Sequence, residues 1–223
     1  MIIPYGDDGK KTLPLATVLL IIINTYVYMS FNYTFEMSWE GYFAYKNFIQ
    51  DSAMYPLIIS FENILTSMFV HIGIGFWGIL AHLFGNMLYL WVLGRAVETR
   101  LGSFKFLFLY VVSGFLAAIF MTLILPIEDR TTPCIGASGA ISGLIGAYVL
   151  LFPLNHIKLF YWFGIFGGWV AVPAWLAIGA WYTTQLIPMY LGYQSGIAYT
   201  AHVGGFVSGI VLTYLLVRKE QIK

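Results

Sequence analysis

Apolar residues in this chain come in long runs separated by short polar clusters, the pattern of a polypeptide that crosses a bilayer repeatedly. The runs cover about 13–31, 77–97, 104–125, 137–152, 169–189 and 198–217, and they predict six spanning helices. Between the first two lies a stretch of different character, 32–67. Glu36, Glu40, Lys46, Asp51 and Glu62 make it too charged to cross, while Trp39, Tyr42, Phe43, Tyr45 and Phe48 make it too aromatic to float in water. A large interfacial outer loop fits, because aromatic rings favour the headgroup level. Residues 68–76 either extend the second span or lie in the interface. No repeat or low-complexity tract divides the chain, so the expectation is one all-α polytopic membrane domain over 1–223.

Composition agrees with the pattern. Sixty per cent of residues are apolar and 9% charged, the mean hydropathy is +0.80, and soluble domains carry roughly 25% charged residues. The net charge of +1 carries no sign of nucleic-acid binding, and no such partner is expected. Cys134 is the one cysteine, which excludes an internal disulfide and a cysteine-based metal site; neither metal nor cofactor is expected. The first apolar run follows Lys10 and Lys11 without a cleavable small-residue site and reads as a retained anchor.

The basic residues set the orientation. With six spans both termini share a side, which collects Lys10, Lys11, Arg95, Arg100, Lys105, Lys158, Arg218, Lys219 and Lys223, leaving only Lys46 and Arg130 opposite. Nine against two predicts cytoplasmic segments at 1–12 and 218–223.

Polar residues within the apolar runs then stand out, since an amide, hydroxyl or imidazole is costly in hydrocarbon. His82 and Asn86 are four apart and share a helix face. Ser138 sits in Gly136-Ala137-Ser138-Gly139, and His202 opens the sixth run. Spans two, four and six all enter from the outer side, so the three groups share one depth, roughly 5–10 Å below the outer surface. Serine and histidine on separate spans are the parts of an activated nucleophile. The spacings Gly139-x-x-x-Gly143 and Gly205-x-x-x-Gly209 read as close helix packing, which could bring Ser138 and His202 together.

The residues resemble the rhomboid intramembrane serine proteases from the first span to the last. The likeness is carried by Gly136-Ala137-Ser138-Gly139, by His82-Leu83-Phe84-Gly85-Asn86 and by Ala201-His202-Val203-Gly204-Gly205-Phe206-Val207-Ser208-Gly209, in order, in spans two, four and six. It implies a six-helix bundle and a Ser138 nucleophile with His202 as general base, a dyad without an acidic member. His82, Asn86 and the Ser138 backbone amide would form the oxyanion hole, supported by Gly136, Gly139, Gly205 and Gly209. It further implies single-span transmembrane substrates in the bilayer; the oligomeric state is left open.

Three departures from the family pattern bear on the site. Glu62 and Asn63 stand where the family often has Trp-Arg. His71 looks like a further family histidine but lies eleven residues before His82, implying an insertion around 73–79, and His71 and His156 read as interfacial side chains. Ser142 stands where an aromatic often packs on the base histidine, so either another ring orients His202 or that histidine is held less firmly. An inactive client-binding relative would usually lack the serine or the histidine. A transporter or channel would more often show broken helices or charges inside its spans.

Overall fold

The computed structural model describes residues 2–9, 12–33, 39–71, 79–193 and 195–217. Lys10, Lys11, Glu36, most of the implied 73–79 insertion, the start of the second run and the 218–223 tail lie outside them. The helices are α1 (Leu15–Tyr33), α2 (Trp39–Ser52) and α3 (Phe61–Ser67), then α4 over 79–101, α5 (Ser103–Ile124), α6 (Ser138–Leu151), α7 (Ala174–Tyr190) and α8 (Tyr199–Leu216). A short 3-10 turn, Ile127–Thr131, follows α5. Each of the six apolar runs thus contains one long helix, and the outer loop holds the short helices α2 and α3.

The exclusively helical expectation needs correction. Strands β1 (Ile2–Asp7), β2 (His156–Phe163) and β3 (Phe166–Pro173) form an antiparallel sheet in that order. The fifth apolar run therefore divides, and its helix begins at Ala174 rather than near Trp169. The physical reason is local. Gly164, with φ +61°, turns the β2–β3 hairpin, and Gly167 and Gly168 disfavour helix, while β2 is rich in Ile, Phe, Tyr and Trp, which suit a strand. Pro173 then precedes the first residue of α7, where it cannot interrupt a helical bond.

The ends of the helices pair up. At one end, the Glu98 carboxylate accepts hydrogen bonds from the Ala16 and Thr17 amides at 2.8 Å and from the hydroxyls of Thr17 (2.7 Å) and Ser103 (2.6 Å). It supplies from α4 the acceptor that the first turn of α1 lacks. Burial works against its charge, but these hydrogen bonds hold the carboxyl below the ordinary glutamate range. Gly102, at φ +79°, lets the chain turn from α4 into α5, and Lys105 Nζ donates to the Leu216 carbonyl of α8 at 2.9 Å. The sheet lies at this end, where Tyr148 donates to Asp7 at 2.9 Å and Lys158 pairs with Asp8 at 3.2 Å. At the other end, Met54 and Cys134 form a backbone bridge, and the Gly136 amide donates to the Ser67 carbonyl at 2.8 Å.

The core lies between α4, α5, α6 and α8. Leu90, Val97, Phe106, Tyr110, Leu144 and Leu151 are fully buried there. Facing outward are Leu19, Ile22 and Tyr26 on α1, Phe104 and Leu123 on α5, and Tyr214 and Leu215 on α8. Apolar surface on this scale needs a nonaqueous surround. By length and hydropathy, Ser103–Ile124 (2.4) and Tyr199–Leu216 (1.3) qualify as spanning helices among the described residues.

Helices α6 and α8 set the geometry that matters most. Every residue of α6 from Ala140 to Tyr148 is buried. A Cβ at Gly205 would strike the Gly139 carbonyl, and one at Gly209 the Gly143 carbonyl. Main chain therefore lies directly on main chain, closer than any side chain permits.

Candidate functional site

Ser138 is the first residue of α6 and His202 lies in the first turn of α8. The crossing of these helices brings His202 Nε2 to 2.8 Å from Ser138 Oγ. That is a full hydrogen bond between residues 64 apart in sequence. The amides of Ser138, Gly139 and Ala140 open α6 without an i−4 partner inside the helix, and Ile141 is the first to make one, to the Ala137 carbonyl at 2.9 Å.

His82 and Asn86 lie one turn apart on α4, where the helix is wound wider than usual over Ile79–Phe84, a distortion found often at functional sites. Asn86 Nδ2 donates to the His82 carbonyl at 2.9 Å, which engages one of its two N–H bonds and leaves the second. Both side chains line a cavity of about 1220 Å³ that also contains Ser138, Ser142 and His202. The cavity has room for a stretch of polypeptide and for water.

Each motif glycine has a spatial reason. Gly136 adopts φ +114°, and a Cβ there would come to 2.6 Å from His82 Nε2, so the glycine makes room for that imidazole. At Gly139 a Cβ would press on Ala117 at 3.0 Å, while Gly205 and Gly209 form the α6–α8 contact. His82, Asn86, Ser138 and His202 thus line one cavity, with Gly136 beside His82 and Gly139, Gly205 and Gly209 in the helix contacts around them.

Three sequence expectations change. His71 is no interfacial side chain: it is 2% exposed, its ring lies 4.9 Å from that of His82, and its Nε2 is 3.5 Å from the Ala137 amide. The eleven-residue spacing hid this, because separation along a chain does not fix separation in space. Ser142 turns its hydroxyl back on the Ser138 carbonyl at 2.7 Å and leaves His202 alone. The expected orienting ring is Trp181, whose centroid lies 6.5 Å from that of His202, but the shorter contact is not a ring at all. Gln185 Oε1 lies 2.8 Å from His202 Nδ1. Sequence reasoning missed Gln185, although an amide within the apolar run of α7 is costly in hydrocarbon and was itself the signal.

Cys134 lines the cavity too. Burial pushes its thiol up to about 11, so it is protonated at neutral pH and unsuited to nucleophilic attack. Among the described residues no cluster of His, Cys, Asp and Glu could hold a metal ion.

Comparison with known proteins gives a consistent result. The family model described as Rhomboid domain matches residues 60–219. The chain is similar to Rhomboid protein 1, mitochondrial, of Saccharomyces cerevisiae, with 35% identity over 133 residues, 58% of this chain and 36% of that protein. It is 40% identical over 98 residues to Rhomboid protease GluP of Bacillus subtilis, covering 44% of this chain and 17% of that one. It is also 28% identical over 161 residues to Inactive RHOMBOID-like protein 8 of Arabidopsis thaliana, 72% of this chain and 40% of that protein. The chain thus spans less than half the length of these relatives.

Proposed function

Because the chain belongs to the rhomboid family, a family of helical membrane proteins, we propose that it is an intramembrane serine endopeptidase that cuts transmembrane protein substrates. The observation that carries this reading is the 2.8 Å hydrogen bond between His202 Nε2 and Ser138 Oγ. Serine alone is a poor nucleophile at neutral pH and needs a base to take its proton during attack. In this reading Ser138 Oγ bonds to the scissile carbonyl carbon while its proton passes to His202 Nε2. The negative charge on the carbonyl oxygen meets the Ser138 amide, the free Asn86 N–H and His82, and preorganised donors of this kind contribute about 2.7–4 kcal/mol each. His202 then protonates the leaving amine as the C–N bond breaks. Water, deprotonated by the same imidazole, releases the acyl group and restores Ser138.

The six long helices serve as six spans, with both termini cytoplasmic and the cavity open outward. The nine-to-two distribution of basic residues supports this orientation. So does the gathering of β1, the α4–α5 turn and the β2–β3 hairpin at one end of the bundle. A single-span substrate would unwind to reach Ser138, because an intact helix ties its carbonyls into backbone hydrogen bonds.

The test is to incubate purified protein with a single-span model substrate and, separately, with a fluorophosphonate probe. Cleavage and labelling of Ser138 are expected, and Ser138→Ala abolishes both with the fold intact. Cleavage that survives in Ser138→Ala overturns the mechanism. Absence of both in the wild type favours a client-binding role without catalysis; the Arabidopsis relative is likewise named inactive. Orientation has its own check in a Cys134→Ser background. A cysteine at position 130 reacts with an impermeant maleimide in intact cells and one at 158 does not; the reverse pattern inverts the topology.

A further inference from the structure

We propose that Gln185 is the third member of the catalytic array, a positioning residue that holds His202 in the tautomer able to accept the Ser138 proton. This rests on the protease reading above.

The chemistry follows from which atoms face each other. An imidazole carries one proton when neutral, on either Nδ1 or Nε2, and only the bare nitrogen can act as base. His202 Nε2 faces Ser138 Oγ at 2.8 Å, so a productive ring must carry its proton on Nδ1. Gln185 presents its amide oxygen to Nδ1 at 2.8 Å. That oxygen can only accept, so it is satisfied only when Nδ1 bears the proton. The opposite tautomer would set two acceptors against each other and turn the wrong face of the ring to the serine.

The orientation of the amide is itself fixed. Gln185 Nε2 donates to Thr184 Oγ1 at 2.8 Å and to the Trp181 carbonyl at 3.4 Å. Thr184 in turn donates its own hydroxyl proton to the Trp181 carbonyl at 2.6 Å, which leaves an oxygen lone pair for Gln185. A flipped amide would turn its oxygen toward the Trp181 carbonyl, which can only accept, and would need the Thr184 hydroxyl to give up its own bond to that carbonyl. Gln185 is 7% exposed, on the buried stripe of α7 with Ala174 and Ile178, so water does not readily replace it. A neutral amide also suits an apolar site better than a carboxylate, whose charge is costly to desolvate.

The experiment compares substitutions of similar size in the full-length protein. Gln185→Met removes the acceptor and keeps the volume, and is expected to lower kcat about 10–100-fold with KM unchanged and to slow fluorophosphonate labelling of Ser138 in parallel. Gln185→Glu, assayed at pH 8, restores an acceptor to Nδ1–H and recovers at least tenfold of the loss. A Met variant equal to wild type, a loss that falls on KM, or a Glu variant no better than Met each overturns the proposal. Should Gln185→Met lose thermal stability, Thr184→Val decides instead. It leaves Gln185 but removes an acceptor that orients its amide, and a fall in kcat at constant KM supports the assignment while an unchanged kcat overturns it. Failure of the protease reading is recognised separately, by a wild type that neither cleaves substrate nor labels at Ser138.

Discussion

The two helices that pack beside His202 do so in opposite ways. Helix α6 is buried along its length from Ala140 to Tyr148 and meets α8 main chain to main chain. Helix α7 buries only Ala174, Ile178 and Gln185 among its residues and exposes Trp175, Leu176, Ile187 and Tyr190. The same contrast appears at single glycines. A Cβ at Gly143 would collide with Ser113, whereas one at Gly179 in α7 meets nothing within 4 Å. Ser138 and His202 are therefore held by a contact that admits no adjustment, while Gln185, proposed to set the histidine's proton, comes from a helix attached by one face. In the proposed mechanism, rigid placement and proton control are separate jobs, given to separate helices.

The sharpest way to break this comparison is to wedge the tight contact. Gly209→Val drives a branched side chain into the Gly143 backbone and is expected to eliminate measurable cleavage, a fall of at least about 1,000-fold, and to lower the Tm by several degrees, since overpacking costs about 1–3 kcal/mol or more. A Gly209→Val variant with near-normal turnover would mean that the α6–α8 contact is not what aligns the pair. Asn86→Ala leaves that contact alone and removes one donor; kcat should fall about 10–1000-fold with KM little changed, read from substrate titrations.

Farther from the site, Glu98→Ala should leave the kcat of folded protein within about twofold and reduce stability by about 1–2 kcal/mol, through loss of the α1 cap. Its pH dependence has a definite sign. The Glu98 pKa is lowered in the folded state, so its contribution is full above the ordinary glutamate value of about 4.3 and is lost as pH falls through the lower, folded value. Acid melts of the wild type should show that decline, and Glu98→Ala should lack it. The smallest effect is expected at Gly179→Ala, where the open side of α7 accepts a methyl and the helix gains about 0.5–1 kcal/mol. A destabilised Gly179→Ala would show α7 to be packed more tightly than its exposure indicates.

The long helices were legible because a bilayer demands runs of apolar residues and little else of comparable length satisfies it. The β2–β3 hairpin was not, since Ile157, Phe160 and Trp169 look the same to a hydropathy reading whether they lie in a span or a strand. Gly164 in the turn and Gly167 and Gly168 at the start of β3 were the local sign. At the site, His82, Asn86, Ser138 and His202 could be found because polar groups at regular helical spacing have few uses in hydrocarbon. Gln185 and His71 were harder for different reasons. Gln185 forms no spaced pattern with any neighbour, and its meaning exists only once α7 lies beside α8. His71 stands eleven residues before His82, a spacing that carries no helical register, so the approach of the two rings to 4.9 Å was invisible in the sequence.

The glycine contact between α6 and α8 has one more consequence. Most active sites keep two groups at working distance through side chains, and substitutions in those spacers can shift the distance by small steps. Here the spacer is peptide backbone, whose dimensions are the same in every protein. The gap between Ser138 and His202 behaves like a fixed gauge with no setting screw. Variation in such a site then has to enter through what surrounds the gauge, in the loops and the one-faced helix that border it.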